Sequence, residues 1–218
     1  MSDDTAAASR PAATTGPRSR KGARTRARLV EAAKEVFAEH GLPDARIADI
    51  VERAGLSYGV FYHYFESKEA LFREIAHEIG ARLHAPVDEV ILQRGSSTAP
   101  EDRLRQALRR YFEAYRDDAP ILGVIEQAAR LDDEVRVARE GRDRAYAKQV
   151  ADSIRLLQRR GLADPDLDPD IASAALGAMT SRFAELWLAQ GRLDCDLETG
   201  VETVTRLFTN ALGIPRAR

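Results

Sequence analysis

The narrowest constraint on this chain lies between Arg46 and Lys68, in the run RIADIVERAGLSYGVFYHYFESK. Ile47, Ile50, Val51 and Ala54 recur at helical spacing, Gly55 interrupts, and Phe61, Tyr64 and Phe65 resume the apolar pattern. The run therefore reads as helix, tight turn, helix. Gly55 stands just past the first helix, where positive φ is common and costs glycine least. Ser57 is placed to cap the second helix by accepting from its free N–H groups. A glycine-bent pair of helices this short is the helix-turn-helix arrangement, whose second helix enters the DNA major groove.

The rest of the pattern is helical. A first helix is predicted from about Thr25 to His40, with Leu29, Ala33, Val36 and Phe37 on one face and Gly41 ending it. Pro43 and Asp44 then reset the direction. Ser67 is the expected cap of a fourth helix carrying Leu71, Phe72, Ile75, Ile79 and Leu83. Three short helices bury only about 60% of their unfolded surface, so this fourth helix should tie them to a larger body. Pro86 bends or restarts it, and RGSSTAP (94–100) reads as a loop. Leu104, Leu108, Tyr111, Phe112 and Tyr115 then form a stripe, and Pro120 is expected to start a new helix. Further helices are predicted from about Asp133 to Arg160, from Pro169 to Gln190 and from Leu197 to Leu212. The last two are apolar on more than one side and rich in small residues, so a dimer built from these two helices is the natural cover. No strand-like alternation occurs, and the fold class is all-α.

Composition narrows the partners. The net charge is −2, yet seven basic and no acidic residues fall between Arg10 and Arg28, and a polyanion suits that end. One cysteine, Cys195, excludes an intrachain disulfide and fits a reducing cytoplasm; it reads as a bystander thiol, with a redox crosslink as the alternative. No apolar run approaches the ~18 residues of a membrane span. His77 and His84 lie seven apart with no acidic partner at metal-site spacing, so solvated histidines are expected and no metal or other cofactor. No phosphate-cradling glycine motif or nucleophile motif is present, which argues against an enzyme.

The run AGLSYGVFYHYFESKEAL, preceded by IADIV and by LVEAAKEVFAEHG, resembles the amino-terminal domain of the TetR (tetracycline-repressor-like) family of bacterial transcription regulators, over residues 25 to about 72. Two positions depart from the family pattern. Ala45 stands where Thr or Ser is usual, which would pass the helix cap to Asp44, and Val51 stands where Ala is usual. Residues 1–23, rich in Ala, Ser, Thr, Pro and Arg but without an apolar core segment, read as a disordered basic tail and not a signal peptide. The resemblance implies a three-helix DNA-binding domain (24–84, motif 47–66) and a helical effector-binding and dimerisation domain (85–218). It also implies a homodimer that binds a palindromic double-stranded operator and responds to a small molecule.

At the amino end of the second motif helix, Ser57, Tyr58, Gly59 and Val60 face the base edges: Gly59 permits close approach, Val60 suits a thymine methyl, and Tyr58 donates or accepts. The set lacks Arg, Asn and Gln, so discrimination leans on DNA shape and apolar contact. Ordinary packing is the alternative for Val60 and Tyr58. The resemblance implies phosphate contacts at Thr25, Arg46, Tyr62, His63 and Lys68, with solvated surface charge as the alternative for Arg46 and Lys68. For the effector pocket the candidates are Tyr111, Phe112, Tyr115, Glu126, Arg130, Tyr146, Phe183 and Trp187, each with core packing or surface pairing as its alternative. A ligand-released repressor is the expected function. A same-fold activator, or an α-bundle that has lost DNA binding, are the rivals.

Overall fold

In the computed structural model, residues 20–86 and 98–215 are described. Most of the expected tail and most of the RGSSTAP segment fall outside them. The helices are α1 (Arg20–Asp44), α2 (Ile47–Ala54), α3 (Tyr58–Tyr64), α4 (Lys68–Pro86), α5 (Pro100–Ala128), α6 (Asp133–Arg159), α7 (Pro169–Ala184) and α8 (Leu197–Leu212), with a π-helical turn at Glu185–Ala189 after α7. The fold is all-α, with no strand among the described residues.

Local chemistry sets most of the boundaries. Gly55 takes φ 61°, and its turn is closed by Leu56 N–H donating to Val51 O at 2.8 Å. Ser67 Oγ accepts from Ala70 N at 3.0 Å and starts α4. Asp132, Asp168 and Asp196 cap α6, α7 and α8 through their carboxylates. Gly161, at φ 67°, turns the chain after α6.

Several boundaries differ from the sequence reading. Helix α1 begins at Arg20, so the last residues of the expected tail are helical, and the Thr25 hydroxyl donates back to Lys21 O inside its first turns. Asp44 does not cap α2. Arg46 holds that position without a side-chain cap, and Ala45 is buried instead. Ser57 occupies the α3 cap position, but only its backbone carbonyl contributes, accepting from Val60 N (3.0 Å) and Phe61 N (3.2 Å). Pro120 starts nothing: α5 runs through it. Proline deletes one backbone bond, but Tyr115, Ile121, Leu122 and Ile125 are buried on both sides of it and hold the helix in line.

Helix α4 joins the two parts of the core, and α1 also packs directly on α5. Leu71, Phe72, Ile75 and Ile79 on α4 are fully buried. The Phe72 ring meets Phe37 of α1 edge to face at 5.1 Å, and Arg26 of α1 pairs with Glu74. On the body side, Arg82 pairs with the buried Asp118 of α5, and Arg73 reaches Glu134 at the start of α6 (3.2 Å). Within the body, Phe112 packs edge to face against Phe183 (5.8 Å) and Trp187 (5.5 Å), and the indole N–H donates to Cys195 O at 3.0 Å. The outer faces of α7 and α8 stay open, with Ile171 70% and Leu207 47% exposed beside the exposed Ala174, Ala175 and Ala178.

The positive φ of Gly55 gives a direct check. An L-residue there is strained by about 1–2 kcal/mol, and an added Cβ would lie 3.1 Å from the Arg28 guanidinium. Gly55→Ala is therefore expected to lower unfolding free energy by about that amount in denaturant titrations. Gly123→Ala, whose new Cβ would meet nothing within 4 Å inside α5, should raise it by roughly 0.5–1 kcal/mol.

Candidate nucleic-acid interface and adjoining cavity

Helix α3 has only seven residues and cannot stand alone. It is held by its inner face: Phe61 is fully buried and Phe65, just beyond its end, is 5% exposed. Among the described residues the opposite edge is left exposed. Ser57, Gly59 and His63 are exposed, and Tyr58 and Tyr62, one turn apart, are 51% and 57% exposed. For Tyr58 the packing alternative fails on that exposure. Val60 is divided: it is half-buried and packs against the core, so only part of its surface faces outward.

The expected phosphate ligands fall into two kinds. The Arg46 side chain extends into solvent at the start of α2, with only a loose Asp49 pairing at 3.7 Å. Tyr62 and His63 project from α3, their rings leaning on Phe61 and Tyr64. Lys68 is different. Its Nζ donates to Pro43 O and Ala45 O, both at 2.8 Å, and so ties the start of α4 to the α1–α2 connection. Two of its three protons are thus committed to backbone. Arg28 likewise donates to Ala54 O at the end of α2, and Arg26 lies over the Phe65 ring while pairing with Glu74. These clamps were not legible in the sequence, since basic residues in a basic stretch carry no sign of which carbonyl they meet.

Behind the head, α4, α5, α6 and α7 enclose a cavity of about 560 Å³. Of the expected effector residues, Tyr111, Tyr115, Glu126 and Tyr146 line it. Phe112, Phe183 and Trp187 do not; they form the aromatic cluster of the core and are consumed by packing on one another. Arg130 is exposed in the turn after α5 and also lies outside it. Burial pushes the phenols of Tyr115 and Tyr146 up to about 12, and that of Tyr111 higher still, so all three remain neutral donors. Burial also raises Glu126, against the opposing pull of Arg139 at 2.7 Å.

His77 is exposed, but His84 is not the solvated residue expected. It forms part of the cavity wall, with its ring 4.6 Å from Tyr146 and its Nε2 3.7 Å from Asp143. Burial holds its pKa below 6.5. His40 is exposed at the end of α1. Cys195 is half-buried before α8, and burial raises its thiol. Among the described residues no group of three or more His, Cys, Asp and Glu is arranged to hold a metal, and no helix is long and apolar enough to cross a membrane.

Residues 29–75 match the profile of the bacterial regulatory proteins of the tetR family, and residues 97–206 match the tetracyclin repressor-like C-terminal domain. The chain belongs to the TetR family. It is 27% identical over 175 residues to the uncharacterized HTH-type transcriptional regulator YdgC of Bacillus subtilis, covering 80% of this chain and 86% of that one. It is 30% identical over 148 residues to the HTH-type transcriptional repressor KstR2 of Mycobacterium tuberculosis, covering 67% and 72% of the two chains. Its fold matches that of the fatty acid degradation regulator FadR from Bacillus halodurans with a TM-score of 0.73 and 21% identity, over 93% of this chain and all of that one. As a TetR-family member the chain is a DNA-binding transcriptional regulator.

Two measurements separate the roles assigned above. Arg46→Ala should leave stability within about 0.5 kcal/mol and reduce the salt dependence of DNA binding by about one unit of slope. Lys68→Met should instead lower stability by about 1–3 kcal/mol, because two backbone carbonyls lose a charged donor. For His84, a depressed folded pKa means that the unfolded chain takes up the proton first. Its stabilising contribution is present above 6.5 and is lost as the pH falls through the folded value. The thermal midpoint should therefore fall with acidification below 6.5, and His84→Gln should flatten that slope.

Proposed function

We propose that this regulator is a cytoplasmic homodimeric repressor, released from a palindromic operator by a small-molecule effector. In this reading residues 24–84 form the DNA-binding domain behind a basic tail (1–23), and residues 85–218 form the effector-binding and dimerisation domain. The observation that carries it is the position of α4. The same helix presses Phe72 against the head and contributes Ile79, Gly80, Leu83 and His84 to the cavity wall. A ligand that alters the cavity acts on a helix whose other end packs on α1 of the DNA-binding domain.

Ser57, Tyr58, Gly59 and the outer part of Val60 read base edges, while Thr25, Arg46, Tyr62, His63 and the remaining proton of Lys68 hold phosphates. Tyr111, Tyr115, Glu126 and Tyr146 meet the effector. The open faces of α7 and α8 pair across a two-fold axis, with the small residue Ala175 allowing close approach. A coupling of roughly 1–3 kcal/mol between cavity and head changes operator affinity about 5- to 150-fold.

Selection of bound sequences from random DNA tests this reading. The expected product is a palindrome whose half-site centres lie about 34–36 Å apart, one groove repeat. Tyr58→Ala should change the recovered preference more than the non-specific affinity. A uniform loss across all sequences, or no enriched sequence at all, would contradict the assignment.

A further inference from the structure

The 560 Å³ cavity does not end at its own walls. A narrower space of about 80 Å³ adjoins it between α5, α6, α7 and α8, and the two share Tyr111, Tyr146, Ser173, Gly177 and Thr180 as walls. The two compartments differ in chemistry. The narrow one is lined by Leu104, Leu108, Ile154, Leu157, Leu176 and Phe208, with Arg103 and Arg160 also on its wall. The wide one carries three cations and three carboxylates.

Those charges do not all cancel in place. Arg139 pairs with Glu126 at 2.7 Å and with Asp143 at 3.6 Å, and Arg182 pairs with Glu185 at 2.6 Å. Arg142 is left over. Its Nε is buried without a hydrogen-bond partner, and Asp143 acts on it only as a neighbouring charge. It lies directly against α4 at Gly80, where a Cβ would come within 2.5 Å of that Nε. Arg142 as a whole is half-buried, but its Nε is fully buried, and a buried donor with no acceptor is costly. A ligand that brings an anionic oxygen removes that cost.

Resting on the ligand-released reading above, we infer that the effector is an amphiphile: an anionic head group seated on Arg142, with one flexible apolar chain in the narrow compartment. The neutral phenols of Tyr111 and Tyr146 stand at the seam between the two and donate to the head or to a linking oxygen. Because Arg142 touches α4 at Gly80, the head group binds against the helix whose Phe72, about two turns earlier, packs on Phe37 of α1.

The test uses the full chain and three probes in calorimetric titration: decanoate, hexanoate and decanol. Decanoate should bind about tenfold or more tightly than decanol, the worth of a charge-assisted hydrogen bond. Shortening the chain should weaken binding by up to about fourfold per methylene. Arg142→Met should bring the decanoate-to-decanol ratio close to one while leaving decanol binding intact, so that decanol reports a correctly folded cavity. Equal affinity for the two in the native chain, a ratio unchanged in Arg142→Met, or no binding of any probe would overturn the inference. Operator release is read separately in a mobility-shift assay. Binding of decanoate without release retains the amphiphile site and contradicts the ligand-released reading. Release by a compound that is not an anionic amphiphile, with decanoate unbound, retains that reading and overturns the amphiphile.

Discussion

Everything in this structure depends on the burial of one helix from two sides. Phe72 and Ile75 of α4 complete a core that α1, α2 and α3 are too small to close, and Ile79 and Leu83 continue the same stripe into the body. A unit of some fifty residues buries only about 60% of its unfolded surface and is marginal by itself. The head is stable because it shares α4 and rests α1 on α5, and so it cannot change its orientation independently of the body. The ion pairs at Arg26–Glu74, Arg73–Glu134 and Arg82–Asp118 flank that stripe along its length. Partly exposed pairs of this kind contribute little individually, so the apolar stripe decides the stability and the pairs fix the register.

The recognition edge follows from what α3 has to bury. Seven residues give two turns. Phe61 and Phe65 fill the inner side, the Lys68 clamp fixes the connection ahead of α2, and Arg28 closes the end of α2. What remains outward is Ser57, Tyr58, Gly59, Tyr62 and His63, a surface of hydroxyls, aromatic edges and bare backbone. Such a surface lacks the forked donors that read guanine or adenine in two places at once, so in the proposed role DNA shape and apolar contact carry much of the discrimination. The overall charge of −2 is no obstacle, because cations gather where α1 begins and carboxylates lie mainly on the body.

The parts of the fold that were legible in the sequence share a property: each is fixed by residues near one another in the chain. Gly55 with its positive φ, the Ser67 cap and the Asp168–Pro169 start of α7 are local events. The missed features are settled by residues far away. Pro120 looks like a start until the buried residues flanking it are known to pack on the same core, and Asp118 beside it is held by Arg82 from another helix. Lys68 looks like a free cation until Pro43 and Ala45 turn their carbonyls toward it. Periodicity placed Phe112, Phe183 and Trp187 on inward faces, but it cannot tell a cavity wall from an aromatic cluster, and these three chose each other. His84 and Arg142 were invisible as cavity residues for the same reason. Their neighbours lie on different helices, and Gly80 matters only through the side chain it lets approach.

In the proposed dimer each α4 braces one DNA-binding domain through α1, and two such domains are paired so that both α3 edges meet one side of a duplex. Pulsed electron-spin distance measurement tests this directly, using a single label at the exposed position 66 just past α3 (Glu66→Cys in a Cys195→Ser background), with and without bound operator. The account predicts one intersubunit distance that narrows on DNA to a value near the groove repeat of about 34–36 Å. No intersubunit distance, or a distribution indifferent to DNA and incompatible with two successive grooves, would contradict it.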